Sequence, residues 1–334
     1  MIAVKVSTPF PEWPLVRQTP GGEGVWGECR FVVNQPVDAC DYWVVCEGLT
    51  EEQETRCPRE NTILVTWEPP DIKTYAQGFL DQFGTIVTCH REIRHPHIVY
   101  RQQGLPWMTG ARLDPGSHTW TDHKTFEQIA ADPGEKTKLL SVVASSKTST
   151  PGHRARERLL SALEASLGTA LDIFGLGYRP IEDKWDAVAP YRYHLAIENT
   201  AMPDYWTEKL ADAFLGQALP IYAGCTNVLD YFPERSLVLI DPASAENAIR
   251  KIMSVLEADP YAERADAIRF AKEKVLREYN LFAMLERLLK ATAKHPASVM
   301  ERVTLFPEQR FNQSKVRRRS LHEAFTALVT RFGR

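Results

Sequence analysis

No Asp-x-Asp pair occurs in this chain, so the simplest carboxylate clamp for a divalent ion is missing. The six cysteines, at 29, 40, 46, 57, 89 and 225, form no Cys-x-x-Cys pair, which argues against a zinc site or a thioredoxin-like centre. Cys46 and Cys89 sit in apolar runs and read as small core residues, and the whole set suits a reducing compartment. No apolar run approaches the roughly 18 residues of a membrane span. The opening MIAVKVSTPF lacks the apolar stretch of a signal peptide. There is no Gly-x-Ser-x-Gly elbow and no Walker loop. Formal net charge is only −3 over 334 residues, so the body exerts no global pull on nucleic acid. The expectation is a cytoplasmic protein.

What is present is an α/β pattern long enough for two domains. The first part mixes candidate strands (Ala3–Val6, Tyr42–Cys46, Ile63–Trp67, Ile86–Cys89) and a candidate helix (Tyr75–Phe83) with loops rich in proline and glycine. Asp132-Pro133-Gly134-Glu135-Lys136 reads as a linker, which places domains at 1–133 and 134–296 and a tail at 297–334. After the linker, strands and helices alternate: Leu139–Ala144, a helix Arg154–Leu167 with Leu159, Leu160, Leu163 and Leu167 at helical spacing, then Leu171–Phe174 and Tyr193–Ile197. A helix opening near Asp204, strands Pro220–Ala223 and Leu237–Ile240, and helices Ser244–Leu256 and Pro260–Glu278 complete the series. Such alternation predicts a parallel, doubly wound sheet.

The most informative stretch is YRYHLAIENTAMPDYWTEKLADAFLGQALPIYAGCTNVLD, Tyr191 to Asp230. It reads as strand, helix, strand, with polar groups gathered where the first strand feeds the helix. In an open α/β sheet that edge is where ligands bind. A helix N-terminus offers free N–H groups and partial positive charge. Asp204 is a candidate N-cap and Glu208 suits a first turn, but Lys209 opposes the helix dipole. A cation beside unpaired N–H donors makes sense if a phosphate or pyrophosphate lies between them; the bland alternative is a solvated lysine.

This segment closely resembles the donor-binding motif of glycosyltransferase family 10, the α-1,3/1,4-fucosyltransferases. The family pattern Tyr-x-Phe-x-Leu-x-Phe-Glu-Asn-(Ser/Thr), then Tyr-x-Thr-Glu-Lys, then Pro-(Ile/Val)-(Val/Tyr)-x-Gly is met by Tyr191, Tyr193, Leu195, Ile197, Glu198, Asn199 and Thr200, by Tyr205, Thr207, Glu208 and Lys209, and by Pro220, Ile221, Tyr222 and Gly224. Tyr193 and Ile197 depart from the usual Phe. The resemblance implies GT-B architecture, two Rossmann-like domains facing across a cleft, in a soluble bacterial type of enzyme. It implies an inverting transferase using GDP-β-L-fucose with an oligosaccharide, lipopolysaccharide or polysaccharide acceptor, and no obligatory metal or other cofactor.

By the same resemblance Arg156, seven residues before Leu163 and after a strand ending at Ser145-Ser146, takes a pyrophosphate role, with Arg154 as the fallback. Lys209 is the second cation, Glu208 the ribose partner, and Glu198, Asn199 and Tyr205 line the donor. The base is expected in the N-terminal domain at Glu68, after the apolar run ILVTW, with Glu47 and Glu92 as rivals. His194 reads as a satisfied sheet histidine, and Trp107 and Trp120 as core. Two alternatives stay open: a GT-B transferase with another nucleotide sugar, and a non-catalytic glycan- or nucleotide-binding protein. From Arg310 to Arg334 the tail carries Arg310, Lys315, Arg317, Arg318, Arg319, Arg331 and Arg334 against Glu323 alone, interleaved with apolar residues. It reads as an amphipathic helix, either docked on the body or peripheral at the inner face of a membrane.

Overall fold

A computed structural model describes residues 1–114, 117, 119–144, 151–292 and 299–312, with the backbone alone at 151–153 and 292. The chain forms two compact units, one from Met1–Leu105 together with the chain from Tyr279, the other from Pro106–Glu278.

The first unit contains β1 (Ile2–Ser7), β2 (Val25–Trp26), β3 (Cys29–Val33), β4 (Tyr42–Cys46), β5 (Gln53–Cys57), β6 (Thr62–Val65), the short helix α1 (Gln77–Leu80), β7 (Thr85–Thr88) and β8 (Ile98–Tyr100). Seven of these strands form one sheet in the order β2-β3-β1-β4-β6-β7-β8, parallel throughout except for the β2–β3 hairpin. Strands β4 and β6 are buried at every position, which is why they read as unbroken apolar runs rather than as an alternation.

The second unit begins with a hairpin, β9 (Ala111–Leu113) and β10 (Trp120–His123), and helix α2 (Phe126–Ala131). Then come β11 (Lys138–Val143), α3 (Pro151–Leu167), β12 (Leu171–Phe174), α4 (Trp185–Val188), β13 (Tyr191–Ile197), α5 (Glu208–Leu215), β14 (Leu219–Ala223), β15 (Val238–Leu239), α6 (Ala245–Ala258) and α7 (Tyr261–Arg277). The sheet order is β12-β11-β13-β14-β15, all parallel. The leucines spaced along α3 do what their period predicts: Leu159, Leu160 and Leu163 are fully buried against Leu140, Val142, Leu195 and Ile221 of the sheet.

The chain then returns to the first unit with α8 (Leu281–Thr292) and β16 (Glu301–Leu305), which pairs antiparallel with β5. Val303 and Leu305 enter the same core as Trp43, Leu64 and Phe79. Two expectations therefore change. The 132–136 segment is not a linker: Gln217 Nε2 donates to the Asp132 carbonyl at 2.7 Å, and Lys136 Nζ donates to the carbonyls of Ala189 and Gly216. The division falls instead at Leu105/Pro106, because Met108, Thr109 and Gly110 are tied by their N–H groups to Asp212 and Asp183. The tail does not begin at 297, since β16 belongs to the first unit; the basic stretch beyond Asn312 lies outside the described residues, as do Ser145 and Ser146. Two units, each on a parallel sheet, are the components that GT-B architecture requires.

Candidate active site

In the second unit the chain leaves β11 toward β12 on one side and comes back to β13 on the other. The switch point lies between the carboxyl ends of β11 and β13, the place where doubly wound sheets hold ligands. Arg156 stands on α3, which follows β11, and Asn199 follows β13. The Arg156 Nη1 group donates to Asn199 Oδ1 at 3.2 Å, so the pair spans the switch point. Burial decides among the three arginines of α3: Arg154 and Arg158 are exposed, whereas Arg156 is only 5% exposed. The Asn199 Nδ2 atom is buried with no hydrogen-bond partner among the described residues.

Glu198 is built in rather than displayed. Its Oε1 accepts from the Thr207 N–H at 2.8 Å and its Oε2 from the Thr207 hydroxyl at 2.7 Å. Thr207 in turn caps α5, its hydroxyl accepting from the Lys209 N–H. The carboxylate thus fixes the start of α5 to the end of β13. Burial pushes its pKa up, opposed by the Lys209 ammonium. Close approach here depends on Gly224, whose φ of +154° suits glycine; a Cβ there would lie 2.3 Å from Glu198 Cγ. Gly224→Ala is expected to cost at least about 1–3 kcal/mol. Thermal unfolding checks this: the melting temperature should fall by several degrees, and an unchanged value would mean that Glu198 can move.

Asp204 is not the N-cap. It has φ +62°, and its Oδ1 accepts from Asn227 Nδ2 at 3.0 Å and from the Tyr231 hydroxyl. The N-cap is Thr207 instead, and the helix starts at Glu208. Tyr205 is only 2% exposed and sits in the core beside this loop.

Helix α5 is buried almost all round, so its charges must find partners inside. The Lys209 ammonium lies 3.2 Å from Glu208 Oε1 and 3.6 Å from Glu198 Oε2. Lys184, just before α4, reaches Asp212 Oδ2 at 3.3 Å and Glu208 Oε1 at 3.7 Å. Burial raises the Asp212 pKa to about 6, against the pull of Lys184. Arg156, Lys184 and Lys209 line one cavity together with His194 and Asp212. Burial lowers the His194 pKa to about 3, so its ring is neutral; Nδ1 is bonded to the Ser141 hydroxyl at 2.8 Å, as a satisfied sheet histidine should be. The cavity is small, about 30 Å³, and Lys184 and Lys209 are paired with Glu198, Glu208 and Asp212, so a polyanion at this site would have to widen it and share those partners. Lys184 gives no local sequence signal: in IEDKWD it reads as a solvated charge.

Glu68 lies in the first unit, past the carboxyl end of β6. Its backbone is held on both sides. The N–H donates to Glu47 Oε2 at 3.2 Å, and the carbonyl is 2.7 Å from His90 Nε2. Burial keeps the His90 pKa below its ordinary value, which favours a neutral ring donating its N–H to that carbonyl. The side chain is half-buried. Glu47 cannot serve equally as a base, because its carboxylate already receives Trp67 N–H, Glu68 N–H, the Tyr75 hydroxyl and Lys73 Nζ. Glu92 is exposed. The spacing Gly22-Glu23-Gly24-Val25-Trp26-Gly27 matches a dinucleotide fingerprint, but it runs from a 3₁₀ turn into the β2–β3 hairpin rather than from strand to helix. Among the described residues no group of His, Cys, Asp or Glu is placed to hold a metal ion, and no helix is long and apolar enough to cross a membrane.

The second unit is thus an α/β doubly wound sheet with Arg156, Lys184 and Lys209 gathered around one cavity near its switch point. Residues 133–264 match the model of glycosyltransferase family 10 (fucosyltransferase), C-terminal part. The human 4-galactosyl-N-acetylglucosaminide 3-alpha-L-fucosyltransferase FUT6 is 23% identical over 225 residues, covering 57% of this chain and 60% of that protein. The chain thus spans less than two thirds of that relative's length. An Arabidopsis thaliana alpha-(1,4)-fucosyltransferase is 46% identical over 52 residues, 16% of this chain and 13% of that protein. A crystal structure of an alpha1,3-fucosyltransferase aligns over 89% of this chain and 90% of its own, with a TM-score of 0.46 and 14% identity. The fold assignment rests on the strand orders above.

Proposed function

We propose that the protein is an inverting glycosyltransferase that moves L-fucose from GDP-β-L-fucose to a glycan hydroxyl. The observation that carries this reading is the cavity lined by Arg156, Lys184 and Lys209, inside the segment that matches the family model. Arg156 and Lys209 face the diphosphate and Glu208 accepts from the ribose hydroxyls. Glu68 takes the acceptor proton as the hydroxyl oxygen attacks the anomeric carbon. The bond from that carbon to the diphosphate oxygen breaks, its electron pair leaves with GDP, and the transition state has oxocarbenium character. Arg156, buried, and Lys209, partly buried, would together neutralise the leaving group, so turnover is expected without a metal ion. The acceptor is an oligosaccharide or a larger glycan, and the six buried free thiols suit a reducing compartment.

The test is donor turnover by the purified chain in the presence of a chelator. GDP release from GDP-fucose should exceed nucleotide release from UDP- and CMP-sugars. GDP at 100 times its Kd should stabilise the fold by about 2.7 kcal/mol. Faster release from another nucleotide sugar would reassign the donor. Stabilisation by GDP with no turnover of any donor would make this a binding protein.

A further inference from the structure

Glu208 is the proposed ribose partner, yet in this structure its Oε1 faces the Lys209 ammonium at 3.2 Å. Lys209 is also the proposed diphosphate cation. One ammonium with three strong donors serves a buried carboxylate and an arriving polyanion poorly at once. As Lys209 turns to phosphate, Glu208, only 7% exposed, loses part of the positive charge that keeps it ionised and aimed.

Lys184 stands on the other side of the same carboxylate oxygen. It is 6% exposed and is held by two carboxylates one helical turn apart on α5, Glu208 at 3.7 Å and Asp212 at 3.3 Å. Asp212 is itself fixed by the backbone N–H groups of Met108 and Thr109, both at 3.1 Å. Lys209 is more exposed, at 17% of its side chain, and its partners are Glu198, Glu208 and the Thr207 hydroxyl at the helix start.

Resting on the donor-site reading above, we propose that Lys184 is a positioning residue that holds Glu208 ionised and directed at the nucleotide ribose while Lys209 engages the diphosphate. It acts on the sugar-bearing part of the nucleotide, not on the phosphates. The cavity then divides its work: Arg156 and Lys209 take phosphate charge, and the Lys184–Asp212 pair supports the carboxylate that reads the ribose.

Isothermal titration with GDP and with inorganic pyrophosphate separates this role from a direct phosphate contact. Lys184→Met should weaken GDP by about 10–100-fold, the usual cost of removing a residue that orients a ligand-binding group. It should leave pyrophosphate within about 2-fold, whereas Lys209→Ala weakens both. In the Glu208→Gln background, Lys184→Met should add little, because the two residues act as one unit. Where Lys184→Met does not fold, Lys184→Gln, which keeps a donor toward Asp212, is measured in its place. Equal losses for GDP and pyrophosphate, or additive losses with Glu208→Gln, would overturn the proposal. A wild-type chain that binds neither ligand would sink the donor-site reading itself. Tight wild-type binding of GDP with no change in either Lys184 variant would sink this inference alone.

Discussion

Lys209→Ala is expected to lower kcat/KM for the donor by about 10²–10³-fold, the range seen when one preorganised group is removed from a developing oxyanion. The chemistry explains the size. In the proposed reaction negative charge appears on a diphosphate oxygen as the glycosidic bond breaks, and a cation largely withdrawn from water is worth more there than in solution. The ammonium is already within 3.6 Å of two carboxylates, so it is held near the site before ligand arrives. Its removal also leaves Glu198 and Glu208 without that cation. Glu198 keeps both bonds from Thr207, so the start of α5 should persist. Arg156→Ala should produce a loss of similar size, and would in addition release Asn199 from its bond across the switch point. Steady-state kinetics with GDP-fucose, alongside a melting curve for each variant, decides the matter. Near wild-type turnover in a folded Lys209→Ala protein would end the electrostatic account.

Much of this site was legible in the sequence because it depends on local order. Strands β4 and β14 are continuous apolar runs, and their burial follows directly. The leucine spacing of α3 places Arg156 on a definite helix, and the sheet then buries it. Glu198, Thr207, Glu208 and Lys209 are close in sequence, so the turn that joins them brings them together. What failed depends on distant partners. Asp204 looks like an N-cap, but its carboxylate is taken by Asn227 and Tyr231, more than twenty residues onward. Strand β5, QETRC, is too polar to read as a strand, and its pairing partner β16 comes from the far end of the chain. The apparent linker at 132–136 contains every turn signal, yet Lys136 is drawn in by two backbone carbonyls that the sequence cannot announce. Lys184 was invisible for the same reason. Its partners lie on a helix that begins 24 positions later, and only the packing of α4 against α5 makes it a buried cation.

Glu68→Gln is expected to show a different profile: kcat falls by about 10²–10⁴-fold, the usual contribution of a positioned general base, while GDP affinity stays at the wild-type level. The surroundings of Glu68 make this a sharp test. Its N–H is held by Glu47 and its carbonyl by His90, so an amide of nearly the same shape should sit in the same place without disturbing the strand end. The stacked rings of Phe10, Trp13 and Trp67 beneath it should also be unaffected, with centroids 4.5 to 6.3 Å apart. The variant then lacks only the ability to accept a proton. A carboxylate base loses function as pH falls and it becomes protonated, so the wild type should show an acid limb in its kcat–pH profile, and Glu68→Gln should not. Glu47→Gln should behave otherwise. It weakens a buried acceptor that receives four donors, so the melting temperature should fall together with activity. Full turnover in Glu68→Gln, or a loss that tracks the loss of GDP binding, would move the base to another residue and leave Glu68 as part of the strand-end framework.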